Sequence, residues 1–239
     1  MRIRIIRHAE PDYEIDGLTE KGKREAQLLK ERLRREKIDD IYISPLGRAQ
    51  LTAKPYLEAS GKTGKTVDWL HEFNNVSVER EYRPGICWDL LPTEWEDKKA
   101  LYDAEEWYKN LKEVKGSLKE EIEKVSKGLD GVLALHGYQR EGKHYHVEQG
   151  NHDTIALFCH FGVECILLSH LFSVSPEPRL RHSVALPSSV TVLYTEERRK
   201  GIASFRRTEF GSLEHLYQKE PASFAARFCE TFEDDSRHD

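Results

Sequence analysis

The sequence predicts an α/β protein in three layers, a mostly parallel central sheet flanked by helices, with a smaller insertion over the carboxyl ends of the strands. Three observations carry this expectation. Thr154 to His160 (TIALFCH) is a nearly all-apolar run bounded by polar residues, as a strand buried on both faces requires. Short β-branched runs alternate with longer stretches of helix formers, the pattern of a sheet with helices packed on it. No Pro/Gly/Ser linker, internal repeat or low-complexity block interrupts the chain, so residues 1–239 read as a single domain with an insertion at about 74–150.

Taken in order, Ile3, Ile5 and Ile6 form a strand that ends at Arg7-His8, because Pro11, Asp12 and Gly17 break any regular element after it. Thr19 is placed to cap a helix from Glu20 to Lys37, whose Ala26, Leu29 and Leu33 share one face. Ile38 to Ser44 reads as a second strand, followed by Ser44-Pro45 as cap and first residue of the next helix. Val67 to Leu70 is a third strand candidate. Ala100 to Lys127 is helical in composition, with Trp107, Leu111, Val114 and Leu118 roughly on one face. Residues 128 to 150, alternating around Glu141-Gly142-Lys143, read as a hairpin. After the buried run at Thr154, Gly162 to Leu171 opens a helix, and Val190 to Thr195 and Ile202 to Arg206 are further strands. A short amphipathic piece around Phe224 to Phe232 precedes an acidic, frayed tail.

Composition excludes several classes of function. With 37 Lys and Arg against 42 Asp and Glu, the net charge is -5, and no pervasive basic surface exists to neutralise nucleic-acid phosphates. The basic residues from Lys21 to Lys37 are interspersed with Glu25, Glu31 and Glu36, as on a solvated helix face. The N-terminal residues have no apolar core of signal-peptide length and no run approaches ~20 apolar residues, so neither secretion nor membrane spanning is expected. Four cysteines without CxxC spacing point to a reducing compartment, and hence the cytoplasm.

Three strand ends carry unusual polar residues: Arg7-His8, Ser44-Pro45-Leu46-Gly47-Arg48, and His160-Phe161-Gly162. An imidazole held through one nitrogen is a good nucleophile toward phosphorus, and guanidinium forks match the non-bridging oxygens of a phosphoryl group. At these residues the chain resembles the histidine phosphatase superfamily, also called the phosphoglycerate mutase-like family. Arg7-His8-Ala9-Glu10 stands for its RHG box, Gly17 to Gly22 for its LT..G turn, Ser44 to Ala53 for its SPL.RA..TA helix, and Cys159 to Gly162 for its late histidine motif. The resemblance covers roughly residues 1 to 75 and 150 to 172, and four motifs in the family's order make it specific.

The resemblance implies a phosphoglycerate mutase-like fold and a phosphomonoester hydrolase working in two steps through a phosphohistidine on His8. Arg7, Arg48 and His160 would hold the phosphoryl oxygens, and Glu72 stands where the family places its proton donor; Glu10 and Asp12 are its rivals. Neither a metal nor another cofactor is implied, and the partner is a small phosphorylated substrate. Mutase-type phosphoryl transfer is the alternative enzyme, and a silent phospho-ligand binder the alternative of another class. Two departures stand out. Ala9 replaces the family glycine, which is harmless only where φ is not positive. Pro11-Asp12-Tyr13-Glu14 lacks the Ser-x-x-Asn of the mutases, which favours a phosphatase.

Thr19, Glu20 and Gly22 are assigned to the helix start rather than to substrate. His136, His144, His146 and His152 have no carboxylate or cysteine partners at zinc spacing and are assigned to a polar hairpin face. Arg83, Trp88 and Tyr138 are candidates to line the substrate pocket, because insertions build lids, with Arg83 taken as a further substrate-binding residue. The substrate itself and the oligomeric state are left open by the sequence.

Overall fold

Side chains alternate along strand β1 (Arg2–Arg7), so Ile3 and Ile5 face one apolar cluster and Ile6 the other. A computed structural model describes residues 1–232. After β1, helix α1 (Glu20–Leu33) begins at Thr19, whose Oγ1 accepts from the Gly22 amide at 3.0 Å. It stops short of the expected Lys37 so that Ile38, 1% exposed, can enter the core ahead of β2 (Asp40–Ile43). Helix α2 is Gly47–Ser60 and β3 is Lys65–Thr66. Then come α3 (Leu118–Leu135), β4 (Tyr138–Glu141), β5 (His144–Val147) and β6 (Thr154–Cys159). The chain closes with α4 (Phe161–Phe172), α5 (Glu177–His182), β7 (Val190–Arg199) and β8 (Ile202–Ser212).

These eight strands form one sheet in the order β3-β2-β6-β1-β7-β8-β5-β4. Pairing is parallel from β3 to β1 and antiparallel from β1 to β4. The α/β class holds, but the expected predominance of parallel pairing is confined to half of the sheet. The reason lies in connections: β7 to β8 and β4 to β5 are joined by tight turns, which can only make antiparallel pairs. Leu29 and Leu33 of α1 and Ala49, Ala53 and Tyr56 of α2 join Ile6, Ala156 and Phe158 on one face of the sheet. Leu129 and Leu133 of α3 and Ile166 and Leu167 of α4 join Ile3, Ile5, Ile155 and Leu157 on the other.

The segment 74–150 divides in two. Helix α3 and the β4-β5 hairpin belong to the main layers, and the hairpin extends the edge of the central sheet. Residues 71–117 form a separate cap with its own small sheet, in which Ser77–Val78 lies between Gly85–Ile86 and Glu113–Lys115. The continuous helix expected from Ala100 to Lys127 is absent. Asp103 Oδ1 accepts from the Glu105 and Glu106 amides and folds a turn, and Gly116 at φ +74° breaks the chain before Ser117 starts α3. Trp107 and Leu111 are buried while Val114 is exposed. Val67 to Leu70 is likewise a 3₁₀ turn over Asp68–Leu70 rather than a strand, the strand being the preceding Lys65–Thr66. Arg80, its side chain 1% exposed, anchors the cap by pairing with Asp89 at 3.0 Å and Glu94 at 3.5 Å. Cap residues Phe73, Val78, Trp88 and Leu101 share one apolar cluster with α3, α4 and the sheet. Among the described residues, no helix is long and apolar enough to cross a membrane.

Candidate active site

Strands β2, β6 and β1 are neighbours and run parallel, so the residues following them emerge on one edge of the sheet. Those residues are Ser44, His160 and His8. The rings of His8 and His160 lie 5.1 Å apart, and both residues are buried.

His8 Nδ1 donates to the Ala9 carbonyl at 2.8 Å, since a carbonyl can only accept. Its Nε2 therefore carries the free lone pair. Burial, reinforced by Arg7 and Arg48, holds the His8 pKa well below 6.5, so the ring is a neutral base at physiological pH. Ala9 is absent from the residues with positive φ, so alanine sits here without strain, and its amide donates to Thr52 Oγ1 at 2.9 Å.

His160 Nε2 lies 2.7 Å from Ser44 Oγ, and its Nδ1 is buried with no partner. Burial, followed by the neighbouring His8, Arg48 and Arg7, depresses its pKa, so this imidazole is also neutral. The Ser44 side chain thus reaches the site, while its Oγ also accepts from the Leu46 amide at 3.3 Å, and it is not the expected N-cap. Helix α2 starts at Gly47 instead, after Leu46, without a side-chain cap from its own N-cap residue. Its first amide donates to Asp16 Oδ2 at 2.6 Å, and Asp16 Oδ1 accepts from Arg48 Nη1 at 2.6 Å. Asp16 adopts φ +47°, and a Cβ on Gly47 would meet its carbonyl oxygen at 2.3 Å, so this junction needs a glycine. The Arg48 guanidinium lies 5.4 Å from the Tyr13 ring, and its Nε is buried without a partner.

Arg7 Nη1 donates to the Ala185 carbonyl at 2.7 Å. The same 184–189 segment accepts the Arg7 amide at Ser189 and gives the Ser188 amide to the His8 carbonyl. Glu72 Oε1 accepts from the Phe73 and Val163 amides at 2.7 and 3.3 Å. Burial raises its pKa above the ordinary 4.5 even though those amides, Arg7 and Arg48 favour the charged form. Glu10 differs. Against the effect of its own burial, the Ser223 and Thr19 hydroxyls and Lys21 hold its pKa down, which makes it a poor proton donor. Asp12 spends one oxygen on the Glu14 amide.

Arg7 and His8, Arg48, Glu72 and His160 therefore come from four separate stretches of chain to one place. Trp88 joins them, because a Cβ on Gly162 would meet its indole at 2.6 Å and Glu72 Oε1 at 2.7 Å. Arg83 is exposed between the Ser77–Val78 and Gly85–Ile86 strands. Tyr138 is not near the site: it is 2% exposed in β4, packed on Phe205 and 3.4 Å from the N-terminal amine. Asp16, Ser44, Thr52 and the 184–189 segment were not identified from the sequence. Ser44 and Thr52 lie within the quoted SPLGRAQLTA string, where their hydroxyls were a usable signal; the 184–189 segment has none, because it acts through backbone groups.

Two neutral imidazoles, two guanidinium groups and a carboxyl with a raised pKa at the ends of parallel strands make a site suited to phosphoryl transfer. The chain belongs to the histidine phosphatase superfamily (branch 1), whose family model matches residues 3–208. Phosphoserine phosphatase 1 of Hydrogenobacter thermophilus is 32% identical over 95 residues, which is 36% of this chain and 43% of that relative's length. Among solved structures, a phosphoserine phosphatase from Entamoeba histolytica, crystallised with phosphoserine, has a TM-score of 0.61 at 18% identity, covering 90% of this chain and 98% of its own. The α-ribazole phosphatase of Shigella flexneri has a TM-score of 0.58 at 19% identity, covering 89% and 97%. At these identities the structures establish a shared fold.

Proposed function

We propose that the protein is a metal-independent phosphomonoester hydrolase that acts on a small phosphorylated substrate through a phosphohistidine on His8. The observation that carries this reading is the His8 tautomer: Nδ1 is tied to the Ala9 carbonyl, and Nε2 is a neutral lone pair beside two guanidinium groups. Membership of the family and the phosphatases among its relatives support it.

In the first step His8 Nε2 attacks phosphorus in line and the ester P–O bond breaks. Glu72, whose pKa burial raises, gives its proton to the leaving oxygen, releasing the alcohol. In the second step water attacks the phosphohistidine, Glu72 takes back a proton, and inorganic phosphate leaves with the His8 nitrogen restored. Arg7 and Arg48 hold the equatorial oxygens throughout. His160 Nδ1, when Ser44 donates to Nε2, offers a further N–H to the phosphoryl group. Arg83, exposed on the cap, would meet charge carried by the rest of the substrate. The absence of Ser-x-x-Asn after the His8 motif speaks for hydrolysis over the mutase reaction. Four cysteines without CxxC spacing fit a cytoplasmic setting.

The test is hydrolysis of p-nitrophenyl phosphate in the presence of EDTA, with acid-labile phosphoenzyme trapped in parallel, for wild type and His8→Ala. The expected result is turnover and label in the wild type, and loss of both by on the order of 10³-fold or more in a folded variant. Near wild-type activity in His8→Ala would remove His8 as nucleophile, and label without turnover would select the mutase.

A further inference from the structure

A cavity of about 430 Å³ opens beside the candidate site, between the cap, α5 and the C-terminal segment. Trp88, Trp95, Leu180, His182, Val184 and Phe228 line it. That size falls within the ~300–1,000 Å³ typical of small-molecule sites, and a serine-sized group would leave most of it empty.

Two of its walls end on the reaction centre. The six-membered ring of Trp88 approaches Gly162 through Cη2 and Cζ3, the same small gap that Glu72 Oε1 approaches, so the cavity begins one indole away from the proposed proton donor. Val184 precedes Ala185, whose carbonyl holds Arg7. The cavity therefore adjoins Glu72, the proposed donor to the departing oxygen, and a group attached to that oxygen can reach it.

Its chemistry is that of a ring with one acceptor. Trp95 packs edge-on against His182, with centroids 5.3 Å apart at 81°, giving a rigid aromatic corner. Phe228, 56% exposed, supplies a further aromatic face from the C-terminal segment. Arg181 also lines the cavity, with a side chain only 2% exposed. Its Nε donates to Glu177 at 2.8 Å and its Nη2 to the Cys87 carbonyl at 2.8 Å, while Nη1 is buried with no partner. A buried guanidinium donor left unpaired is costly, and an oxygen of a bound ligand would satisfy it.

We propose that this cavity is the leaving-group subsite and that the substrate is the phosphomonoester of a bulky, ring-bearing alcohol carrying an acceptor oxygen, rather than of a compact alcohol such as serine. The proposal rests on the hydrolase reading above.

The experiment compares kcat/KM for primary-alkyl phosphates of similar leaving-group pKa: ethyl phosphate, O-phosphoserine, 2-(2-naphthyl)ethyl phosphate, and the last with a carboxylate on the distal ring. Wild type is expected to favour the naphthyl esters at least tenfold, with the carboxylate adding a further gain through Arg181. Trp95→Ala and the exposed Phe228→Ala should each cut the naphthyl-to-ethyl ratio several-fold, and Tm measured alongside separates this from misfolding. Equal or greater kcat/KM on the compact esters, or ratios unmoved in both folded variants, would overturn the subsite while leaving hydrolysis intact. Absence of both phosphoenzyme and turnover on every ester would overturn the hydrolase reading and the subsite with it.

Discussion

At His8 burial favours the neutral ring, and at Glu72 it favours the protonated carboxyl. The same desolvation lowers the basicity of an imidazole and raises that of a carboxyl, because in both it penalises the charged form. Both shifts favour the states that the proposed first step requires. The acid limb of the rate profile should report His8, displaced well below 6.5, and the alkaline limb Glu72, displaced upward from 4.5. Glu72→Gln should flatten the alkaline limb and slow alkyl phosphates on the order of 10²-fold, with a smaller effect on p-nitrophenyl phosphate, whose leaving group needs little protonation. Equal losses on both esters would assign the proton to another group. Glu164 offers a separate test, of stability. It is 1% exposed in the first turn of α4, and burial raises its pKa to about 7, opposed in part by the Thr191 hydroxyl and Arg7. Between 4.5 and 7 the folded state binds more protons than the unfolded, so this group's contribution is full at low pH and declines as pH rises through that window. Glu164→Gln cannot ionise and should escape a loss of up to ~3 kcal/mol, seen as a smaller drop in denaturant midpoint from pH 4.5 to 8 than in wild type. Parallel curves for the two proteins would contradict it.

At the scale of elements, the N-terminus of α2 shows how a helix start and a binding residue are positioned by one side chain. Asp16 accepts from both the Gly47 amide and Arg48 Nη1, so it satisfies the helix and aims the guanidinium together. Asp16→Ala should cost ~0.5–2 kcal/mol as a lost cap, and also weaken vanadate binding by freeing Arg48. Asparagine has a single side-chain acceptor oxygen for two donors. Asp16→Asn should therefore restore much of the Tm while vanadate affinity stays reduced; full recovery of both would leave Asp16 with a purely structural role. The sequence signals for this region were misread for a physical reason. Ser44-Pro45 matches the local rule for a helix start, but the Ser44 hydroxyl is shared between His160 and the Leu46 amide, and the helix starts at Gly47, whose amide is held by Asp16 from a distant loop. The span from Ala100 to Lys127 failed similarly. Its composition favours helix, yet Asp103 and Gly116 set local turns that bury Trp107 and Leu111 under the cap instead.

For the whole molecule, the arrangement of strands matters more than any one of them. Placing β6 between β2 and β1 brings three loops distant in sequence to a single edge. An anion held by side chains from all three binds only the folded chain. At 100-fold above its Kd, vanadate should add ~2.7 kcal/mol to stability, a rise in Tm on the order of 5–10 °C for a chain of this size. Arg48→Ala or His160→Ala should abolish the rise, and a wild-type Tm indifferent to vanadate would count against the assembled site.

Local regularities were legible from the residues alone: the apolar run of β6, the alternation of β1, the Thr19 cap, and the strand-end motifs containing Arg7, His8, Arg48 and His160. They depend on neighbours within a few positions, and one side-chain period determines which face is buried. Which strands pair, and in which direction, depends on loop closure and packing across the whole chain, so the antiparallel half of the sheet was not visible. The same holds for Asp16 behind Arg48, the Ala185 carbonyl behind Arg7, and Arg181 beside the cavity. Asp16 meets Arg48 across 32 positions, Ala185 meets Arg7 across 178, and Arg181 meets the Cys87 carbonyl across 94, the last two through backbone atoms that every residue possesses. Residue type announces the reactive groups; only the tertiary structure decides what holds them and what they are held against.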